Sequence, residues 1–216
     1  MILYDNIKFT EWRFSKEQDL EDAIQKVRSE LFGSSRIYLE IKKLIGKKGG
    51  QMNIPDAYVL DLSSAKAPKL FVVENELSSH DHLRHIAVQI LQFSLAFETN
   101  PHRVKEVLRG ALKAEPAAEA RVLKYATDNG FENIDYLLEQ MVHRKESFNA
   151  LVIIDEINDE LETILKEKFR FPVELLTLER FRSGSGEVVY KFDPLLADVD
   201  ASDEGSTLPQ LDPAEL

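Results

Sequence analysis

Two apolar, β-prone runs, residues 54–62 and 69–76, are joined by a short polar connection, and this pairing constrains the chain more than any other feature. The first reads Ile-Pro-Asp-Ala-Tyr-Val-Leu-Asp-Leu, and the second reads Lys-Leu-Phe-Val-Val-Glu-Asn-Glu. Between them Ser63, Ser64, Lys66 and Pro68 supply turn chemistry. The pattern predicts an antiparallel hairpin. Folding about Ala65 pairs residue i with roughly 130 − i, which sets Asp56 opposite Glu74. Side chains alternate with period two, so Asp56, Tyr58 and Leu60 share a face with Glu76, Glu74 and Val72.

Three anions gathered there repel one another by about 1 kcal/mol per pair in water, and more in a drier site. A shared proton or cation relieves the repulsion, and hard oxygen ligands suit Mg²⁺ or Mn²⁺. Spacing alone leaves a second reading open, in which the acids are simply solvated at the end of a hairpin.

Pro55-Asp56 followed by Glu74-Asn75-Glu76 resembles the PD-(D/E)XK nuclease superfamily, in which Pro-Asp opens one strand and acid-x-Lys closes the next. Here Glu76 stands in the lysine's place, a departure that some restriction endonucleases of the superfamily share. The resemblance implies a restriction-endonuclease-like α/β fold with a mixed central sheet flanked by helices. It implies Mg²⁺- or Mn²⁺-dependent hydrolysis of phosphodiester bonds, in DNA rather than RNA, with Asp56, Glu74 and Glu76 as catalytic and metal-binding residues. It also points to an acid on the first helix, Glu17 or Glu21 with Glu17 nearer the apolar stripe, and to a polar residue on the helix after the hairpin, His85 or Gln89. A homodimer would be usual for such an enzyme, although no coiled-coil heptads are visible. The rival reading is a catalytically inactive nuclease-fold module for nucleic-acid binding or complex assembly.

The chain has 216 residues, a net charge of −11 and no cysteine. Disulfides and thiolate metal sites are excluded, and the charge argues against coating nucleic acid by bulk attraction. No long apolar run or basic-apolar leader is present, so a cytoplasmic protein without membrane insertion is expected. Basic residues are nonetheless clustered. Lys42, Lys43, Lys47 and Lys48, just before the hairpin, are candidates for phosphate contacts, as is His85. His102, Arg103, Lys105, Arg109 and Lys113 crowd a later helix. For both clusters a solvated surface is the alternative.

Around the hairpin, residues 1–196 read as one domain and residues 197–216 as a disordered acidic tail. Ser15 to Gln18 form a capping-box opening to a helix that Gly33 closes. Residues 37–41 fit either a strand or a continued helix. A long helix follows the hairpin, with Ser78 or Ser79 as its cap and a stripe of Leu83, Ile86, Ile90, Phe93 and Phe97. Its start holds His80-Asp81 and His82; an HD-type phosphohydrolase is disfavoured by the surrounding strands. Residues 101–146 read as three helices, an inserted lobe. Residues 150–154 form a buried strand, followed by a helix capped by Asn158, a parallel strand from Pro172, and an antiparallel edge strand after the Ser-Gly-Ser-Gly turn at residues 183–186. Asp155 and Glu156, at the exit of the buried strand, could attract a cation.

Overall fold

The computed structural model describes residues 1–41, 55–79, 82–143 and 148–193, and for residues 82–85 only the backbone. Among the described residues it is an open, mixed α/β sheet of eight strands with six helices. The strands are β1 (Ile2–Tyr4), β2 (Ile7–Glu11), β3 (Arg36–Glu40), β4 (Ala57–Asp61), β5 (Lys69–Glu76), β6 (Phe148–Ile154), β7 (Val173–Ser183) and β8 (Val188–Asp193). The helices are α1 (Glu17–Phe32), α2 (His82–Thr99), α3 (Pro101–Ala114), α4 (Pro116–Asp128), α5 (Ile134–His143) and α6 (Asp159–Glu167). The sheet runs β1-β2-β7-β6-β5-β4-β3, with β8 on the other edge of β7.

The β4–β5 hairpin forms in the expected register: Ala57 faces Val73, Tyr58 faces Val72 and Leu60 faces Leu70. β5 and β6 run parallel, as do β6 and β7, with α6 as the crossover. α6 begins as anticipated, because the Asn158 side chain accepts from Leu161 N at 2.8 Å. Residues 36–40 are a strand rather than a helix, because β4 offers them a full antiparallel ladder from Arg36–Asp61 to Glu40–Ala57. The outer edge of this strand is partly covered: Arg121 of α4 donates to the carbonyls of Ser34 and Arg36.

Alternation along the strands sorts the core into two layers. Tyr58, Leu60, Leu70, Val72, Ala150, Val152 and Ile154 pack with α2 to α6, whereas Ala57, Val59, Phe71, Val73, Leu151 and Ile153 pack with α1. Each fully buried Leu, Ile, Val or Phe contributes about 1.5–3 kcal/mol. The three helices expected as an inserted lobe are here part of the main core: Val104, Leu108, Val122, Leu137 and Leu138 share one cluster with the sheet. α4 closes at Asn129-Gly130, where Gly130 takes φ 76° and Phe131 N reaches Ala126 O at 2.9 Å, a Schellman-type stop.

The first helix starts differently from the expected capping box. Lys16 is the residue before it and makes no side-chain cap; instead Ser15 donates through Oγ to Asp19 Oδ2 at 2.9 Å, and Asp19 also draws in Ser15 N. The β1–β2 hairpin was not foreseen. Its turn, Asp5-Asn6, has φ 47° and 60°, the left-handed pair that a two-residue hairpin requires and that Asp and Asn tolerate.

Across β3 and β4, the guanidinium of Arg36 donates to Asp61 at 3.1 Å with only 7% of the arginine exposed. Removing one member of a buried pair strands the other charge, so Arg36→Met should destabilise the fold by about 3–5 kcal/mol. Urea unfolding checks this: the midpoint should fall with an unchanged slope.

Candidate active site

Proline keeps Pro55 out of a ladder, and the chain enters β4 one residue later with Asp56 already tied down from three directions. Its N–H donates to Val73 O at 3.2 Å, its carbonyl accepts from Ile41 N at 3.0 Å, and its carboxylate Oδ2 accepts from Asn75 N at 2.7 Å. The last bond fixes the Asp56 carboxylate against the backbone between Glu74 and Glu76. Continuing the ladder one step beyond Ala57–Val73 sets Asp56 across from Glu74. The alternation of β5 carries Glu74 and Glu76 to the α2 side, with Leu70 and Val72, and Asn75 to the α1 side.

All four residues are buried: Asp56 is 4% exposed, Glu74 5%, Asn75 2% and Glu76 1%. Carboxylates are seldom placed so deeply, because losing water costs several kcal/mol per ion. Part of that cost is offset locally, since Glu76 Oε1 accepts from Leu77 N at 3.0 Å. Among the described residues no three His, Cys, Asp or Glu side chains are grouped so as to hold one metal ion. Among the described residues the expectation of three acids around a shared ion therefore narrows to two side chains.

On the α1 side Asn75 Nδ2 donates to the Tyr38 hydroxyl at 3.2 Å, and Tyr38 stacks on Phe32 at 5.2 Å between centroids. The Asn75 Oδ1 atom is buried and receives no hydrogen bond among the described residues. Burial chiefly pushes the Tyr38 phenol above its ordinary range; the Asn75 hydrogen bond opposes it, and the charges of Asp56, Glu21 and Glu40 each add a smaller upward push. Both acids singled out on α1 lie in its first turns, Glu17 as the opening residue and Glu21 one turn on, and the charge of Glu21 reaches Tyr38. Tyr38 and Asn75 escaped the sequence reading. The signal that could have found them is Asn75 itself, a polar residue inside an otherwise apolar face.

Gln89 lies on α2, and its Oε1 is buried with no donor among the described residues. His85 falls on the same helix, its side chain outside the described residues, as are Lys42, Lys43, Lys47, Lys48, His80, Asp81 and the tail at 197–216. In the second basic cluster Lys105 pairs with Glu139 of α5 and Arg109 with Glu119 of α4 and Asp135 of α5, so these two cations hold α3 to its neighbours, whereas Arg103 pairs within α3 with Glu106 at 2.9 Å.

A cleft of about 340 Å³, which none of the three buried acids lines, opens where β6 leaves β7 and β2 takes over the same edge. Asp155, Glu156, Arg13 and Phe14 line it. Asp155 Oδ1 accepts from Ser78 N at 2.6 Å, and Glu156 meets Arg13 at 3.2 Å. The pair suspected of attracting a cation thus fastens the end of β6 to β5 and to the strand-end of β2.

Fold and site together define an open mixed α/β protein with buried carboxylates at the ends of two paired central strands. Compared with known proteins, the chain matches no family model, no curated protein and no solved structure. Among the described residues no helix is long and apolar enough to cross a membrane.

Burial pushes the phenols of both Tyr38 and Tyr58 upward. The folded chain retains these two protons where the unfolded chain loses them, so their contribution to stability is full below about pH 10 and disappears as the pH rises through the folded values. Tyrosinate absorbance of the native protein at about pH 11 should account for at most four of the six tyrosines, and for all six after denaturation. Simultaneous titration of all six in the native state would contradict the buried Tyr38–Asn75 arrangement.

Proposed function

We propose that the chain is a restriction-endonuclease-like nuclease that hydrolyses phosphodiester bonds, in DNA, with Mg²⁺ or Mn²⁺ as its cofactor. The observation that carries this reading is the β4–β5 register, which puts Asp56 across from Glu74 with Glu76 two residues further along one face. Pro-Asp and acid-x-acid at the ends of paired strands match the superfamily pattern in everything but the lysine. Charged groups gathered in dry surroundings are also where functional sites concentrate.

The donor set fits the ion. Mg²⁺ keeps several waters and takes one or two carboxylates, so Asp56 and Glu74 would suffice to hold it. Bound there, it would supply positive charge to a phosphate and acidity to a coordinated water. The Asn75 N–H holds Asp56 in place and would keep its carboxylate oriented. Glu76, in place of lysine, would accept the proton of the attacking water; the water oxygen forms the new bond to phosphorus as the P–O bond to the leaving sugar oxygen breaks.

A second reading draws on one observation, the 1% exposure of Glu76. So deep an acid suits a nuclease-fold module that no longer cuts and serves nucleic-acid binding or complex assembly.

Nicking of supercoiled plasmid with Mg²⁺ or Mn²⁺ separates the two. Cleavage should fall to background in Asp56→Ala and by about 100-fold or more in Glu76→Gln, with circular dichroism unchanged. If wild type cuts neither single- nor double-stranded DNA or RNA with either metal, the enzymatic reading fails and the module remains.

A further inference from the structure

The sheet has a second face that the carboxylates do not use. At the β2–β7–β8 end, cross-strand register places Thr10 beside Arg182 and Arg182 beside Val188, while Trp12 N donates to Arg180 O at 2.8 Å and Arg180 pairs with Tyr190. Period-two alternation therefore puts Lys8, Thr10, Trp12, Arg180, Arg182 and Tyr190 on one side, the side that α1 covers further along, where Leu178 joins the core. Glu11, Glu179 and Asp193, the acids where these three strands pair, have the opposite parity; Glu174 shares the parity of Arg180 but lies at the far end of β7, where it pairs with β6. Glu11 is drawn off by Arg13 at 2.7 Å, and Glu179 by Lys191 at 2.5 Å. In a chain of net charge −11, this stretch of sheet presents cations without carboxylates of its own. From the packed helix α1, Asp19 accepts from Ser15 Oγ while its field also reaches Arg180.

At the centre of this face Trp12 is 40% exposed yet rigidly held. The Arg180 guanidinium stacks 3.6 Å from its ring centroid and 4.4 Å from that of Phe14, and it donates to the carbonyls of Trp12 and Arg13, both at 3.1 Å. Arg180 is thus committed to holding the indole. Arg182 is exposed, with its guanidinium 5.1 Å from the same ring, and Lys8 and Thr10 beside it are also exposed. A ligand matching these groups has a flat π-face for the indole and spaced negative charges for Lys8 and Arg182. Unstacked nucleobases on a phosphate backbone satisfy both requirements, whereas a base inside a duplex cannot offer its face.

We propose that the Trp12 face of the β2–β7–β8 sheet binds single-stranded nucleic acid, with a base stacking on Trp12 and phosphates meeting Lys8 and Arg182. This deepens the nuclease reading, on which it rests for nucleic acid as the natural ligand. It concerns the opposite side of the sheet from Glu74 and Glu76 and needs no metal.

Trp12 is the only tryptophan, so its emission reports the site directly. Titrating the full chain with oligothymidylate in EDTA should quench that emission to saturation, with a log-affinity that falls with log salt. Arg182→Gln and Lys8→Gln should each reduce the salt slope by about one and weaken binding. Trp12→Ala, followed by anisotropy of a labelled oligonucleotide, should weaken binding at least about 5-fold, and Trp12→Phe should weaken it less. Asp56→Ala should bind like wild type, so that lost cleavage with intact binding counts against neither proposal, and intact binding without any wild-type cleavage sinks only the nuclease. Unmoved emission, tighter binding of a blunt duplex than of the single strand, or wild-type affinity in a folded Trp12→Ala and Arg182→Gln would overturn the proposal.

Discussion

Strand β5 is the constraint on which the rest of this structure depends. It runs antiparallel to β4 on one side and parallel to β6 on the other, and only Lys69 among its eight residues is exposed. A strand ladder-bonded on both edges and covered on both faces has no freedom to turn its last residues outward. Glu74, Asn75 and Glu76 are therefore carried into the interior by the same register that buries Leu70 to Val73. Shifting that register by one residue would relieve the carboxylates only by exchanging the faces of every apolar side chain on the strand. Hydrophobic packing thus holds charged groups where they would not otherwise go, which is how a fold can maintain a dry acidic site.

Among the described residues, backbone donors serve several of these acids. Asn75 N serves the Asp56 carboxylate, Leu77 N serves Glu76, and Ser78 N serves Asp155, so three donors at and just past the end of β5 go to acids instead of to a ladder. Bonds from N–H to a carboxylate are worth about twice a neutral pair, and here they also lock the geometry of the acids. The end of the strand is consequently both the place where β-structure stops and the place where side chains are best oriented.

Much of this was legible because period two and turn chemistry are local. The connection at residues 63–68 and the apolar runs beside it were enough to pair Asp56 with Glu74, and Asn158 marked a helix start. Residues 37–41 stayed ambiguous since Ile-Tyr-Leu-Glu-Ile satisfies either period over so short a span; the neighbouring strand β4 decided the outcome. The basic row on α3 looked open because its acids, Glu119, Asp135 and Glu139, sit on other helices, and only packing brings them together. The β1–β2 hairpin was missed although Asp5-Asn6 between two apolar runs carries the turn signal, and with it went the exposed face around Trp12. That face depends on pairing β2 with a strand about 170 residues away, which no local pattern encodes.

Charge sorting at the β2–β7–β8 end has the same origin as the buried acids at β5. Alternation sends Lys8, Arg180 and Arg182 to one side and Glu11 and Glu179 to the other, so a sheet of mixed composition acquires one cationic face without any change in net charge. The −11 of the whole chain does not cancel it, because at physiological salt charges beyond about 8 Å are largely screened and a ligand on the sheet meets mainly the groups beneath it. The stacked Arg180 strengthens this sorting. By spending its hydrogen bonds on the carbonyls of Trp12 and Arg13, it keeps β2 and β7 locked in the register that separates the charges, and leaves Arg182 as the cation turned toward solvent. The carboxylates at β5 and the indole at β2 thus occupy opposite sides of one sheet through a single rule, that a residue's parity along its strand decides which medium it meets.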